Sequence, residues 1–183
     1  MKKTSFFAIC ILIISVFVCT PSFSVTIDDI DGTWDTWSKA KLSFSGVGSF
    51  SDENPSETVL DLAGNFALTE TNDTGTYNYS GDFSIEQEKK LLFSLDAPGT
   101  DELVRTWRDW TREIAYDKGA STITDIGFSN VIITYSSPKI SKRSGIPGKA
   151  KIKAKGWASA IIDGDPITKR FSYKSTVTFL GLR

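Results

Sequence analysis

The segment Lys149–Ile162 alternates with a period of two. Lys149, Lys151, Lys153 and Lys155 fall on one side, and Ala150, Ile152, Ala154, Gly156, Ala158, Ala160 and Ile162 on the other. An extended strand separates two such sets, because its successive side chains leave on opposite faces. The strand must therefore have one wet face and one covered face. The covered face is lined by small side chains, so something else has to fill the space in front of it.

The same period marks other strands. In Gly32–Val47, Ala40, Leu42 and Phe44 share one face, and Lys39, Lys41 and Ser43 the other. Thr58–Leu62 and Phe66–Thr69 flank Ala63-Gly64-Asn65, a hairpin signal. Ser49–Ser56 holds Asp52, Glu53, Asn54 and Pro55 and reads as a loop. Thr76, Tyr77, Tyr79, Phe83 and Ile85 mark a further strand, and Leu91–Leu95 pairs back after a charged turn. Ile126–Tyr135 is apolar on both faces, Ser136–Gly148 is a loop, and Asp163-Gly164-Asp165-Pro166 turns the chain into a last strand over Ile167–Leu182.

Asp101–Lys118 switches period. Leu103, Trp107, Trp110 and Ile114 form one stripe of an amphipathic helix. Thr100 is the candidate N-cap, and Gly119 the natural residue just past the end. The chain is thus mainly β. Its strands predict an antiparallel up-and-down barrel of about eight strands, with one helix inserted between strands 5 and 6. Closure removes both exposed edges; an open sandwich is the alternative.

The N-terminus reads as an export signal. Lys2 and Lys3 precede the apolar run Phe6–Val18, Pro21 breaks it, and Ser22-Phe23-Ser24 offers small residues for cleavage. The run is shorter than the roughly 20 residues of a membrane-spanning helix. Residues 1–24 are therefore expected to be removed, leaving a single domain over residues 25–183, in the periplasm or outside the cell. Cys10 and Cys19 are the two cysteines of the chain, and both leave with the signal. Cys19 lacks the small preceding residue that a lipid-acceptor cysteine wants, being preceded by Val18.

The composition limits the chemistry. The chain has no His, which removes Ser-His-Asp and Cys-His catalysis and His-ligated metal sites. Without cysteine, the mature chain has neither a thiol nucleophile nor a disulfide. Acidic residues cluster where solvated charges belong, as at Asp52-Glu53 and Asp101-Glu102. Asp28-Asp29-Ile30-Asp31-Gly32 fails the register of a calcium loop. No metal and no cofactor are expected.

Lys149, Lys151, Lys153 and Lys155 form the one charge concentration, a stripe about 20 Å long at ~3.3 Å per residue. It is a candidate for an anionic envelope surface; the plainer reading is a solvated outer face that discourages edge pairing. Nucleic acid is not expected as a partner, because aromatic interleaving is confined to Trp157 and the chain carries an export signal.

Asp31-Gly32-Thr33-Trp34 resembles the Gly-x-Trp signature of the lipocalins. That resemblance implies a barrel whose closed end is plugged by Trp34. It also implies an Arg from the last strand packed across the indole, here Arg183. The Thr-Asp-Tyr motif of the family is missing from Ser136–Gly148, and the helix interrupts the barrel rather than following it.

The functional expectation is an exported, monomeric, non-enzymatic binding protein. It would hold a small apolar or amphipathic, lipid-like ligand in a barrel cavity lined by Trp107, Trp110, Ala154, Gly156 and Ala158. Two fillings are open at this stage: the helix tryptophans themselves, or a ligand. The alternative is a small outer-membrane or envelope-associated barrel with a structural or interaction role.

Overall fold

The alternating segments become eight antiparallel strands: β1 (Gly32–Phe44), β2 (Gly48–Leu60), β3 (Asn65–Asn72), β4 (Gly75–Glu86), β5 (Lys90–Leu95), β6 (Ile123–Ser136), β7 (Lys149–Ile162) and β8 (Asp165–Leu182). One α-helix, α1 (Ala97–Asp117), lies between β5 and β6. The computed structural model describes residues 25–87, 89–140, 145 and 147–183. The expected signal segment, with Cys10 and Cys19, lies outside the described residues.

The sheet runs in the order β5-β4-β3-β2-β1-β8-β7-β6, so β1 and β8 join the two ends of the chain at its centre. The start of β5 is tied to the segment that follows β6 by two hydrogen bonds. Leu91 N–H donates to the Pro138 carbonyl at 3.1 Å, and Ile140 N–H to the Lys89 carbonyl at 2.9 Å. The result is a nearly closed barrel, compatible with a lipocalin-like fold.

Two elements differ from expectation for physical reasons. Ser49–Ser56 is not a loop but the first half of β2, paired along its length with β1. β3 reaches only Ser56–Leu60, so Gly48–Pro55 has a free outer side. Pro and polar residues are tolerated there because no ladder needs their second edge. The helix begins four residues before Asp101. Its cap is Asp96, not Thr100: the Asp96 carboxylate accepts the Gly99 N–H at 2.6 Å. Pro98-Gly99 reads as a breaker in sequence, yet proline suits a first helical turn, where its missing N–H has no partner to lose. At the other end Gly119 adopts a left-handed conformation, with φ at 89°.

Inside the barrel, Trp34, Leu42, Leu60, Tyr77, Leu91, Leu103, Trp107 and Trp110 are almost wholly buried. The helix thus turns its apolar stripe into the lumen.

Candidate functional site

The small side chains of β7 face a lumen that the helix has filled. Gly156 lies opposite Phe171 and Ala154 opposite Tyr173. Both rings pack on Trp107, at centroid distances of 5.2 Å and 5.5 Å, and Phe128 closes from 5.7 Å. A Cβ on Gly156 would stand 3.0 Å from Phe171 Cε1 and 3.1 Å from Val131 Cα. The missing side chain admits the Phe171 ring and the β6 backbone. Trp107, Ala154, Gly156 and Ala158 are therefore brought together, but as packed core. Trp110 packs on Phe50 at 4.8 Å and donates from Nε1 to Thr74 Oγ1 at 3.1 Å. Trp107 Nε1 is buried with no acceptor among the described residues.

Two apolar spaces remain. The first is in the lumen, away from the helix stripe. It is a cavity of ≈ 50 Å³ walled by Phe66, Leu68, Phe93, Ile152, Val177 and Phe179. That is room for one or two waters, and the walls are apolar.

The second is an open groove of ≈ 300 Å³ between the C-terminal half of α1 and the β7–β8 hairpin. Its origin is a mismatch of lengths. β7 and β8 pair out to Ile162 and Asp165, so their hairpin overhangs the barrel. Ala158, Ala160, Ile167 and Lys169 are on the inward-facing side but no longer meet a sheet. Ile114, Ala115 and Lys118 of the helix end come against them, with Phe44 and Val47 from the β1–β2 turn. The lining is mostly apolar and includes Lys118 and Lys169. Asp163 is also in the lining, but its carboxylate accepts the Thr122 N–H at 2.7 Å and the Ser121 N–H at 3.1 Å. The Ser121 hydroxyl, which also donates to it, is the first cause that holds its pKa below the usual carboxylate range, followed by the Ser121 and Thr122 N–H groups.

One carboxyl group is inside the barrel. Glu70 follows Phe66 and Leu68 on the inward face of β3 and is 7% exposed. Burial is the largest influence on it and raises its pKa; the Ser38 hydroxyl lowers it and the nearby Asp52 raises it. A small space of ≈ 10 Å³ joins Glu70 to Ser38, Asp52, Asn54 and Trp110. Around it run hydroxyl contacts: Thr36 with Ser56 at 2.8 Å, Ser38 with Ser56 at 2.9 Å, and Tyr79 with Thr106 at 2.8 Å. Tyr79 and Tyr173 are both pushed upward, first by burial. Among the described residues no group of His, Cys, Asp and Glu is arranged to hold a metal ion.

At the opposite end of β1, Gly32 has φ at 130°, and a Cβ there would stand 2.9 Å from Leu182 Cδ1. The positive φ suits glycine alone. Trp34 is 2% exposed, meets Phe179 edge-on at 5.9 Å and donates from Nε1 to the Ile30 carbonyl at 2.8 Å. Arg183 is placed differently from the packing that the resemblance implies. Its guanidinium bonds Asp35 at 2.5 Å and Glu57 at 2.6 Å on the outer face. The β1–β8 register shifts between Asp35 and Thr36, which brings Arg183 beside the outward carboxylates rather than over the indole. It still ties β8 to β1 and β2.

Lys149, Lys151, Lys153 and Lys155 are exposed on the outside of β7. The groove residues Ile114, Lys118, Ile167 and Lys169 are the ones that sequence reasoning missed. Ile167 and Lys169 share their strand face with Phe171, which is the signal that was there; the overhang that exposes them is not a local property. Comparison with protein-family models, curated proteins and solved structures returned no match. The fold and the groove define the class: a nearly closed eight-stranded barrel with a helix packed into its lumen.

Proposed function

We propose that this protein is an exported, non-enzymatic carrier of a small amphipathic, lipid-like ligand. The ligand lies in the helix–hairpin groove rather than in the smaller space of the lumen. One observation carries this reading: the groove pairs an apolar lining of Phe44, Ile114, Ala158, Ala160 and Ile167 with two lysines. Its volume is at the lower end of the range for ligand pockets, which begins at about 300 Å³. The apolar tail is buried between Ile114 and Ala160, and the anionic head stays at the rim beside Lys118 and Lys169.

The outer-membrane reading is less favoured. β2 is long enough for a bilayer, so strand length does not argue against it there. The outward face does: Lys149, Lys151, Lys153 and Lys155 are on the wall that lipid would touch, where a lysine costs about 2–4 kcal/mol at mid-depth.

The test is native mass spectrometry of residues 25–183, purified without detergent and titrated with dodecanoic acid. A one-to-one adduct that Ala160→Trp removes supports the groove. Absence of any adduct, or an adduct indifferent to Ala160→Trp, overturns it.

A further inference from the structure

The barrel wall assembles a basic face wider than the single stripe on β7. In register, Lys153 lies opposite Lys174 and Lys174 opposite Lys41, so three lysines form one row across β7, β8 and β1. Lys151 and Lys155 flank that row two residues away on each side. All five are exposed. The described ion pairs leave all five without a carboxylate; on this part of the wall Glu53 is taken by Lys39 at 2.5 Å. Like charges directly opposite destabilise a sheet, so the row carries a folding penalty. The chain as a whole is net negative, at −1; the positive field is local.

The face is a convex patch of the barrel wall that extends over three neighbouring strands. Its lysines span about 13 Å along β7 and about 10 Å across three strands. Its hairpin end carries exposed apolar groups. Ile132 is 69% exposed and pairs with Lys155; Trp157 is 37% exposed and stacked by Arg170 at 4.6 Å. Ile161, 41% exposed, continues the same outer side of β7.

We propose that this β7–β8–β1 face docks on the anionic headgroup layer of a lipid bilayer. The lysines meet a plane of phosphates, and Ile132, Trp157 and Ile161 enter the interfacial region, where aromatic and apolar side chains are stabilised. Single-stranded nucleic acid needs a groove with several stacking aromatics, whereas this face offers the one Trp157 ring beside the apolar Ile132 and Ile161. The docking does not depend on the groove reading, although the same hairpin bears both.

The experiment is co-sedimentation of residues 25–183 with vesicles of phosphatidylglycerol and phosphatidylcholine, against phosphatidylcholine alone. The expected result is binding to the anionic vesicles only, abolished in high salt, where the screening length falls to about 3 Å. Each lysine removed from the row weakens binding roughly fivefold. Lys153→Gln with Lys174→Gln therefore loses most of it, Lys153→Arg with Lys174→Arg retains it, and Lys89→Gln with Lys90→Gln, at the β4–β5 turn, changes little. Equal binding to neutral vesicles, or equal loss in the Lys89/Lys90 control, overturns the proposal. So does tighter, equally row-dependent binding to a single-stranded oligonucleotide.

Discussion

The two apolar spaces of this barrel share a wall and differ in everything else. The lumen cavity and the groove both rest on β7, one against Ala150 and Ile152, the other against Ala158 and Ala160. The lumen cavity is walled mainly by apolar groups, Phe66, Phe93 and Phe179 among them, with Lys151 also in its lining. The groove is six times larger, and Lys118, Lys169 and Asp163 are among its lining. The cause is the helix. Where α1 turns Trp107 and Trp110 inward, the small β7 residues are consumed as packing space. Where the helix ends at Asp117 and the hairpin continues, the same kind of small residue is left in front of a vacancy. Small side chains on a strand thus signal a space, and the length of the covering element decides whether it is filled.

The sharpest way to break this comparison is to empty the filled side. Trp107→Ala removes the ring on which Phe171 and Tyr173 pack and should cost ~3–5 kcal/mol in chemical denaturation. Trp107→Phe should cost distinctly less, because it keeps most of the apolar volume and removes an N–H that lacks an acceptor. Equal losses for the two would show that the ring contacts do not carry the lumen.

Filling each space in turn separates them next. Ala160→Trp should weaken dodecanoic acid binding at least tenfold with little change in melting temperature. Ala150→Val fills the lumen cavity instead; it should leave binding unchanged and raise stability by about 0.5–2 kcal/mol. Reversed effects would move the ligand into the lumen.

Glu70 gives a pH signature that belongs to the lumen alone. Its folded pKa is raised, so the folded state keeps a proton that the unfolded state releases. Its own contribution to stability is complete below the ordinary carboxylate range and is lost as pH rises from there through the raised value. The groups that face Glu70 are Asp52 of β2, Ser38 of β1, Tyr79 of β4, Tyr173 of β8 and Trp110 of α1. No cation among them offsets the ionised form. Glu70→Gln should flatten the decline in thermal melts between mildly acidic and neutral pH and leave ligand binding intact. The smallest effect belongs to the rim: Lys118→Gln with Lys169→Gln should weaken dodecanoic acid about two- to fivefold, as exposed charge pairs do, and leave dodecanol unaffected in the same titration.

The strand count, the place of the helix and the two faces of β7 were legible in the sequence because periodicity reports them locally. The helical stripe of Trp107 and Trp110 was legible from its spacing, while the sequence left open whether the helix or a ligand fills the space in front of β7. β2 was half hidden because Asp52-Glu53-Asn54-Pro55 has loop composition and only its pairing with β1 makes it a strand. The helix start was hidden because Pro98-Gly99 is permitted by position, not by propensity. Glu70 was in plain view, two residues past Leu68 on an inward face. The groove and the Lys153–Lys174–Lys41 row were out of reach, since each depends on how separate strands line up.

The central claim is that the helix has taken the lumen and left the groove. Native mass spectrometry of residues 25–183 with dodecanoic acid, run side by side on the parent chain, Ala160→Trp and Ala150→Val, tests it most directly. The account predicts one adduct on the parent and on Ala150→Val and none on Ala160→Trp. An adduct that survives Ala160→Trp and disappears in Ala150→Val would contradict it.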